Sequence, residues 1–294
     1  MVGLEELSSL DFILWRRTGK LAAQASGCNQ STMSRRLGRC LQTFDLQMVR
    51  RKGEWELPSS ALLQMQRELH QRCRLAGQQA LRLEAFPGAG RLLVHPLLEG
   101  WIGGSFDHLG VDRPLQLLRE RVIDAWISDA IEDLPAAAER TDLVVMPLWR
   151  NPVQFHASAG HRLARERGLT DSDLRDFPSL DIPAQGYRRS RALFHARGLG
   201  TIRSNNCSCK LSRYEQACWE GQTADQHTLV LSTPLNRLTS SQLVRLDLDP
   251  VFANGGALIC HRDLADQSAI NLLLASLRSR LAGLEATMPE LELL

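Results

Sequence analysis

Three patches of this chain carry side chains that could do chemistry. The first is Asn29-Gln30-Ser31-Thr32-Met33-Ser34-Arg35-Arg36-Leu37. At helical spacing, Met33, Leu37, Cys40, Leu41 and Phe44 share one face, while Gln30, Ser31, Ser34 and Arg35 share the other. Short hydroxyls, an amide and a guanidinium in the first turns of a helix suit contact with phosphates and with base edges in the major groove. Thr32 and Arg36 lie in the same turns and complete that candidate set. The second patch is Arg50-Arg51-Lys52, near the tip of a predicted hairpin over residues 48–57. Three cations at a hairpin tip suit a wing lying along a phosphate strand. The third is Cys207-Ser208-Cys209 with Cys218 and His227. Structural zinc usually takes a C-x(2–4)-C pair and a second matched pair, which is missing, so no metal is assigned. Oxidation of Cys207 or Cys209 as a thiol sensor and incidental cysteines stay open. The chain has no G-x-S-x-G, no phosphate-binding glycine loop and no H-E-x-x-H, so no catalytic residue or cofactor is assigned and no enzyme is expected.

Elements must hold these patches in place. Leu4, Leu7, Leu10 and Leu14 predict a first helix ending near Thr18-Gly19. A short helix over residues 21–25 follows, then a turn at Gly27, then the polar-basic helix capped by Asn29. Beyond Pro58, Leu62, Met65, Leu69, Cys73, Ala76, Ala80 and Leu83 recur in steps of three and four. That spacing predicts one helix over residues 59–86, about 40 Å long, whose stripe needs a partner chain or its own domain to cover it. Residues 86–90 read as a hinge.

The remainder alternates short apolar runs with helical patterns, an α/β architecture. Predicted strands cover residues 91–95, 125–128, 143–146, 153–157, 180–182, 228–232, 243–246 and 257–260. Thr170 and Asp173 form a capping-box pattern, and a last helix over residues 264–282 is expected to end at Gly283. A ligand would sit between two lobes, at strand ends and helix N-termini, where free N–H groups attract anions. The positions that fit are His95-Pro96, Ser128-Asp129 and Gln185-Gly186-Tyr187.

The 294 residues are 44% hydrophobic and 23% charged, an ordinary globular balance with room for more than one core. Residues 1–90 hold 13 Lys and Arg against 8 Asp and Glu, and the rest hold 22 against 25. A basic N-terminal segment on an acidic body fits a phosphate-backbone partner. The absence of a signal core or a membrane-spanning run, and an odd count of seven scattered cysteines, lead to the expectation of a cytoplasmic protein without a disulfide framework.

The N-terminal sequence resembles the LysR-type transcriptional regulators. Ala22-Ala23 followed by Gly27 to Leu37 is similar to that family's AA-x-x-x-G-V-S-Q-S-x-x-S-R-x-I core, and Leu46, Met48, Val49 and Arg51 fall on its G-x-x-L-F-x-R element. Ser26, Asn29, Leu41 and Asp45 stand where the family usually has leucine, serine, glutamate and glycine. Further on, residues 124–127, 143–148 and 161–164 resemble parts of its effector domain, whereas residues 218–234 replace a glycine-rich element. The resemblance implies a winged helix-turn-helix over residues 1–58, a dimerising linker helix over 59–86 and a two-lobed, periplasmic-binding-protein-like α/β effector domain over 91–294. It implies base-facing or phosphate-contacting roles for Gln30, Ser31, Ser34 and Arg35, with Arg51 as the wing arginine. The expected partners are double-stranded DNA with a palindromic site, a small-molecule effector and a second copy of the chain, as dimer or tetramer; RNA polymerase is a further candidate. The reading from a different class is an α/β small-molecule-binding protein or enzyme whose N-terminal helices only mediate oligomerisation.

Overall fold

The computed structural model describes residues 2–180, 182–184, 186–199, 213–214, 227–239 and 243–294. Three helices open the chain: α1 (Leu4–Arg16), α2 (Gly19–Ala25) and α3 (Gln30–Phe44). Thr18 caps α2 by accepting from the Leu21 N–H, and Asn29 caps α3 by accepting from the Thr32 N–H. Asp45 ends α3 at φ 51°, a left-handed conformation that Asp tolerates better than most side chains. The hairpin follows as β1 (Val49–Arg51) and β2 (Glu54–Glu56). Lys52 and Gly53 form its tip at φ 50° and 88°, the paired positive angles of a two-residue type I′ turn.

The long helix expected over 59–86 is shorter. Helix α4 (Ala61–Leu75) is capped by Ser60 and followed by Gly77 at φ 77°. Leu81–Ala85 is instead strand β3, and 91–95, expected as the first strand, falls largely within helix α5 (Ala89–Val94). The reason lies in Leu81-Arg82-Leu83-Glu84-Ala85. Its two-residue alternation matches a strand with an apolar and a charged face better than the end of a helical seam. The sheet region therefore starts near residue 81, not 91.

Further elements are β4 (Trp101–Gly103), α6 (Asp112–Arg119), β5 (Ala125–Ser128) and β6 (Leu143–Ser158). Then come α7 (Asp171–Leu174), α8 (Arg188–Ala196), β7 (Val230–Ser232), β8 (Leu243–Arg245), β9 (Phe252–His261), α9 (Ser268–Glu285) and β10 (Glu292–Leu293). The sheet runs β10-β6-β9-β5-β3-β4, with β7 and β8 pairing the far end of β6. Strand β3 is parallel to β4 and β5, while β9 is antiparallel to both β5 and β6. The two runs expected at 143–146 and 153–157 are one strand, and its antiparallel partner β9 is longer than the expected 257–260. Together β6 and β9 carry the chain from one lobe to the other. The second lobe has its own core around Phe155, Phe194, Leu229 and Leu246. Thr170 and Asp173 form the expected capping box, and Gly283 lies inside α9 rather than ending it.

Each face of the first lobe's sheet is covered differently. Leu81, Leu83 and Ala85 face α5 and α9, in a core with Leu273 and Leu277. On the other side Arg82 and Glu84 point at α1, so the first helix of the N-terminal module lies against the sheet. Asp11 on α1 accepts from Arg67 Nε at 2.9 Å and from Arg82 at 3.0 Å. Arg74 on α4 pairs with Asp124 at 2.8 Å, and Asp124 also accepts from the Arg82 N–H. Trp15 Nε1 donates to Glu84, which accepts from the Phe106 N–H as well. Gly104 makes room for that carboxylate, since a Cβ there would stand 2.0 Å from Glu84 Oε2.

The consequence for α4 is unusual. Its inward face carries Leu63, Arg67, His70, Gln71 and Arg74, all buried, while Leu62, Met65 and Leu69 are 69%, 68% and 53% exposed.

Asp11→Ala would leave Arg67 and Arg82 buried without their shared carboxylate. A loss of about 3–5 kcal/mol in urea unfolding is expected, against under 1 kcal/mol for the exposed Glu68→Ala. Burial pushes the Glu84 carboxyl up to about 7. The folded state then holds its proton between about pH 4.3 and 7 where the unfolded chain has lost it, so this group's contribution to stability falls as pH rises. His108 works in the opposite sense at the acid end, because burial and Arg17 hold its pKa well below the usual value. The clean measure is therefore the unfolding free energy of the protein minus that of Glu84→Gln, which should drop by on the order of 2 kcal/mol between about pH 5 and pH 8.

Candidate functional site

The outward face of α3 is built by the burial of its opposite face. Met33 and Cys40 are fully inside, with Leu37, Leu41 and Phe44 packed against the same core. That orientation leaves Gln30, Ser31, Ser34 and Arg35 exposed. Ser31 Oγ donates to Asn29 Oδ1 at 2.8 Å, and Arg35 reaches back to Thr32 Oγ1 at 3.3 Å. Thr32 is half-buried, and so is Arg36, whose guanidinium pairs with Glu5 on α1. Arg39 pairs with Glu6 at 3.5 Å yet remains 68% exposed. It stands one turn after Arg35 on the same side and extends the basic face. The i, i+4 spacing of Arg35 and Arg39 was the signal for it in the sequence.

The hairpin docks on the end of α1, and Trp55 fixes it. Trp55 Nε1 donates to the Arg17 carbonyl at 2.8 Å, and Arg50 lies over the Trp55 ring at 5.5 Å. Arg17 binds Glu54 at the base of β2 at 2.6 Å. Arg50, Arg51 and Lys52 are exposed at the tip, with Arg51 only loosely paired to Glu56 at 3.7 Å. One module thus combines short polar groups on a helix with cations on a hairpin. This is a geometry that can lay a helix in a duplex groove and a basic tip on the phosphates.

A second feature lies between the lobes, a cavity of about 220 Å³. Pro87, Gly88, Leu109 and Asp129 line it from the first lobe, while Leu180, Ile182, Tyr187 and Ser190 do so from the second. Val153, Phe252 and Asn254, on the strands that join the lobes, complete its floor. The N-terminus of α8 faces this region but is already occupied. Asp133 accepts from the Arg189 N–H at 2.7 Å, from the Ser190 N–H at 3.0 Å and from the Ser190 hydroxyl. Burial pushes the Asp129 carboxyl up to about 7, and Asp133 adds to that push. The Tyr187 hydroxyl is raised above its ordinary range by burial and by Asp129.

No protein-family model matches the chain. A curated relative from Synechococcus elongatus, named a probable nitrogen assimilation transcriptional activator, is 28% identical over 208 residues, 63% of this chain. The match spans 65% of that relative's length. Full-length OxyR from Pseudomonas aeruginosa is structurally similar at a TM-score of 0.55, covering 95% of both chains at 14% identity. ArgP from Mycobacterium tuberculosis gives 0.52, covering 95% of this chain and 97% of its own at 16% identity. The chain has the fold of the LysR-type regulators.

On this LysR-type fold the sequence-predicted positions separate into groups. Gln30, Ser31, Ser34, Arg35, Arg50, Arg51 and Lys52 are all exposed on the N-terminal module. Asp129 and Tyr187 line the cavity, but the other candidates around it do not. Ser128 is fully buried behind the wall, with its hydroxyl accepting from the Ala130 N–H. The Gly186 carbonyl accepts from the Val111 N–H at 3.1 Å, and a Cβ on Gly186 would strike that loop. His95 and Pro96 follow α5 and are exposed, away from the lining. Because the true first strand is β3, the loop after it is 86–88, and Pro87 and Gly88 take the place expected of His95 and Pro96. Gln185, Cys207, Cys209 and Cys218 lie outside the described residues. Among the described residues, no helix is long and apolar enough to cross a membrane.

Proposed function

We propose that this chain is a DNA-binding transcriptional regulator that acts as a homo-oligomer and senses a small-molecule effector between its lobes. The observation that carries this reading is that one N-terminal module holds both α3, with an exposed polar and basic face, and a type I′ hairpin with an exposed cationic tip. Each alone is a common surface feature; together they match the shape and charge of a duplex groove and its flanking backbone. The name of the Synechococcus elongatus relative, a probable transcriptional activator, supports the same class. Gln30, Ser31, Ser34 and Arg35 are assigned to base edges and nearby phosphates. Arg50, Arg51 and Lys52 are assigned to the backbone, as is Arg36 where it can leave Glu5. RNA polymerase is a further partner this reading admits, and a cytoplasmic location goes with it.

The partner copy is assigned to the outer face of α4. Leu62, Met65 and Leu69 form a stripe that water would otherwise wet, and the charged face behind it is locked inward by Asp11 and Asp124. The same stripe on a second chain is the self-complementary cover that a twofold interface requires, and it would place two copies of α3 on one side of the duplex. Residues 1–58 thus form the DNA module, α4 the pairing element, and the rest the sensor.

In fluorescence anisotropy with a duplex carrying a palindromic site selected from a random library, affinity should fall steeply between about 50 and 200 mM salt. Arg51→Ala should weaken binding evenly across sequences and flatten the salt slope by about one, whereas Arg35→Ala should cost about 1–3 kcal/mol and relax sequence preference. Binding that ignores both substitutions would overturn the reading in favour of an α/β binding protein with oligomerising helices. By analytical ultracentrifugation, Leu62→Glu with Met65→Glu should convert the dimer to monomer while leaving the melting temperature of the folded chain nearly unchanged. A dimer that persists in that variant would move the interface elsewhere.

A further inference from the structure

The inter-lobe cavity has an electrostatic character that says what it holds. Among the described residues that line it there is no Lys, Arg or His, and the ionisable side chains are Asp129, Tyr187 and Tyr214. Much of the wall is aliphatic or aromatic, with Leu109, Val153, Ile182 and Phe252 among its members. An anionic ligand would need a cation or free N–H groups. The site that could have offered such groups, the N-terminus of α8, is filled by Asp133, which accepts from two of its N–H groups and from the Ser190 hydroxyl. That internal carboxylate quenches the positive end of the helix and adds a second negative group beside the cavity. A carboxylate or phosphate entering here would meet two acids with no compensating charge among the described side chains.

Asp129 stands at the other side. It follows β5 and lines the cavity, and no side-chain hydrogen bond or ion pair to it is made among the described residues. A partly desolvated carboxylate over an apolar wall gains most from a cation that brings its own apolar body.

We infer that the cavity binds a compact organic cation, a protonated amine on an apolar frame, with Asp129 as its counter-ion. The apolar frame lies on Leu109, Ile182 and Phe252, and the hydroxyls of Ser190 and Ser232 are within the same wall to take the remaining ammonium protons. The upward displacement of the Asp129 carboxyl fits a group waiting for its counter-charge. This inference rests on the proposed function only in taking the cavity as the effector site.

Three ring compounds of one size separate the charge classes: benzylamine, benzyl alcohol and benzoate, titrated into the full chain by calorimetry and by thermal shift. Benzylamine should bind about ten-fold or more tighter than benzyl alcohol, with benzoate weakest, since one unit of carboxylate–ligand interaction is worth about that factor. Asp129→Asn should remove the amine's advantage and leave benzyl alcohol within about two-fold, and Asp129→Glu should keep most of it. If Asp129→Asn fails to fold, the unmodified chain carries the same test. Between about pH 8 and pH 5.5 benzylamine stays protonated while Asp129 does not stay ionised, so its affinity should fall on acidification and that of benzyl alcohol should not. Asp133, Tyr187 and Tyr214 are the other titratable groups facing Asp129 in the lining or beside it; burial raises the Tyr187 hydroxyl further above that range, and Asp133 accepts from Ser190 Oγ and two N–H groups. Benzoate binding as tightly as benzylamine, an unchanged amine preference in Asp129→Asn, or no stabilisation by any of the three at about 10 mM would overturn the inference. Duplex affinity measured on the same preparation keeps the two claims apart. Intact DNA binding with no amine preference sinks the ligand class alone, and amine preference without DNA binding sinks the regulator reading alone.

Discussion

Asp11 is held between Arg67 and Arg82, with all three buried, and much of the molecule follows from that arrangement. Taking these charges out of water is expensive, and their mutual attraction offsets the cost only where hydrogen bonds fill the geometry. Most are filled here: Arg82 also donates to Ser8 Oγ and to the Val122 carbonyl and Arg67 reaches Glu120, while Arg67 Nη2 is buried without a partner among the described residues. The three side chains come from α1, α4 and β3. The contact therefore fixes the N-terminal helix, the connecting helix and the first strand of the sheet in one relation.

Two consequences follow. The first concerns α4. A helix that puts Arg67, His70, Gln71 and Arg74 inward turns Leu62, Met65 and Leu69 outward, the reverse of an ordinary amphipathic surface helix. The exposed apolar stripe is thus a by-product of where the charges are satisfied. The second concerns transmission. Asp107 pairs with Arg17 at the end of α1 and with Arg213 beside the cavity residue Tyr214, whose N–H donates to the Asp107 carbonyl at 2.8 Å. These contacts join the cavity lining to the end of α1. For such contact to act as a switch, the ligand must favour one of two arrangements of it.

The N-terminal module was legible because each of its signals is local. Leucine spacing, the Asn29 cap and the basic hairpin tip act within a few residues, and the structure carries each of them where the sequence puts it, while Thr18, read as the end of the first helix, caps the second. The two-lobed region was less legible. Residues 81–85 carry two patterns at once, the helical seam through Ala80 and Leu83 and the two-residue alternation of a strand; the placement of Arg82 against Asp11 and Glu84 against Trp15 satisfies the strand. The slip put the loop after the first strand at His95 and Pro96, whereas Pro87 and Gly88 follow it and line the cavity. The anion-binding expectation at the α8 N-terminus went the same way, because Asp133 lies more than fifty residues before it in the chain.

That Gln30, Ser31, Ser34, Arg35, Arg50, Arg51 and Lys52 are exposed was determined by sequence alone, since helix phase and turn type decide which side chains point outward from a local unit. Tertiary structure decided everything that depends on charges meeting across distance: the inward Arg67 and Arg74 of α4, its outward apolar stripe, and a largely apolar cavity with Asp129 in its wall. Burial makes the difference. An ionic residue reads as surface in the sequence, and only the fold shows which ones have been paired and taken inside.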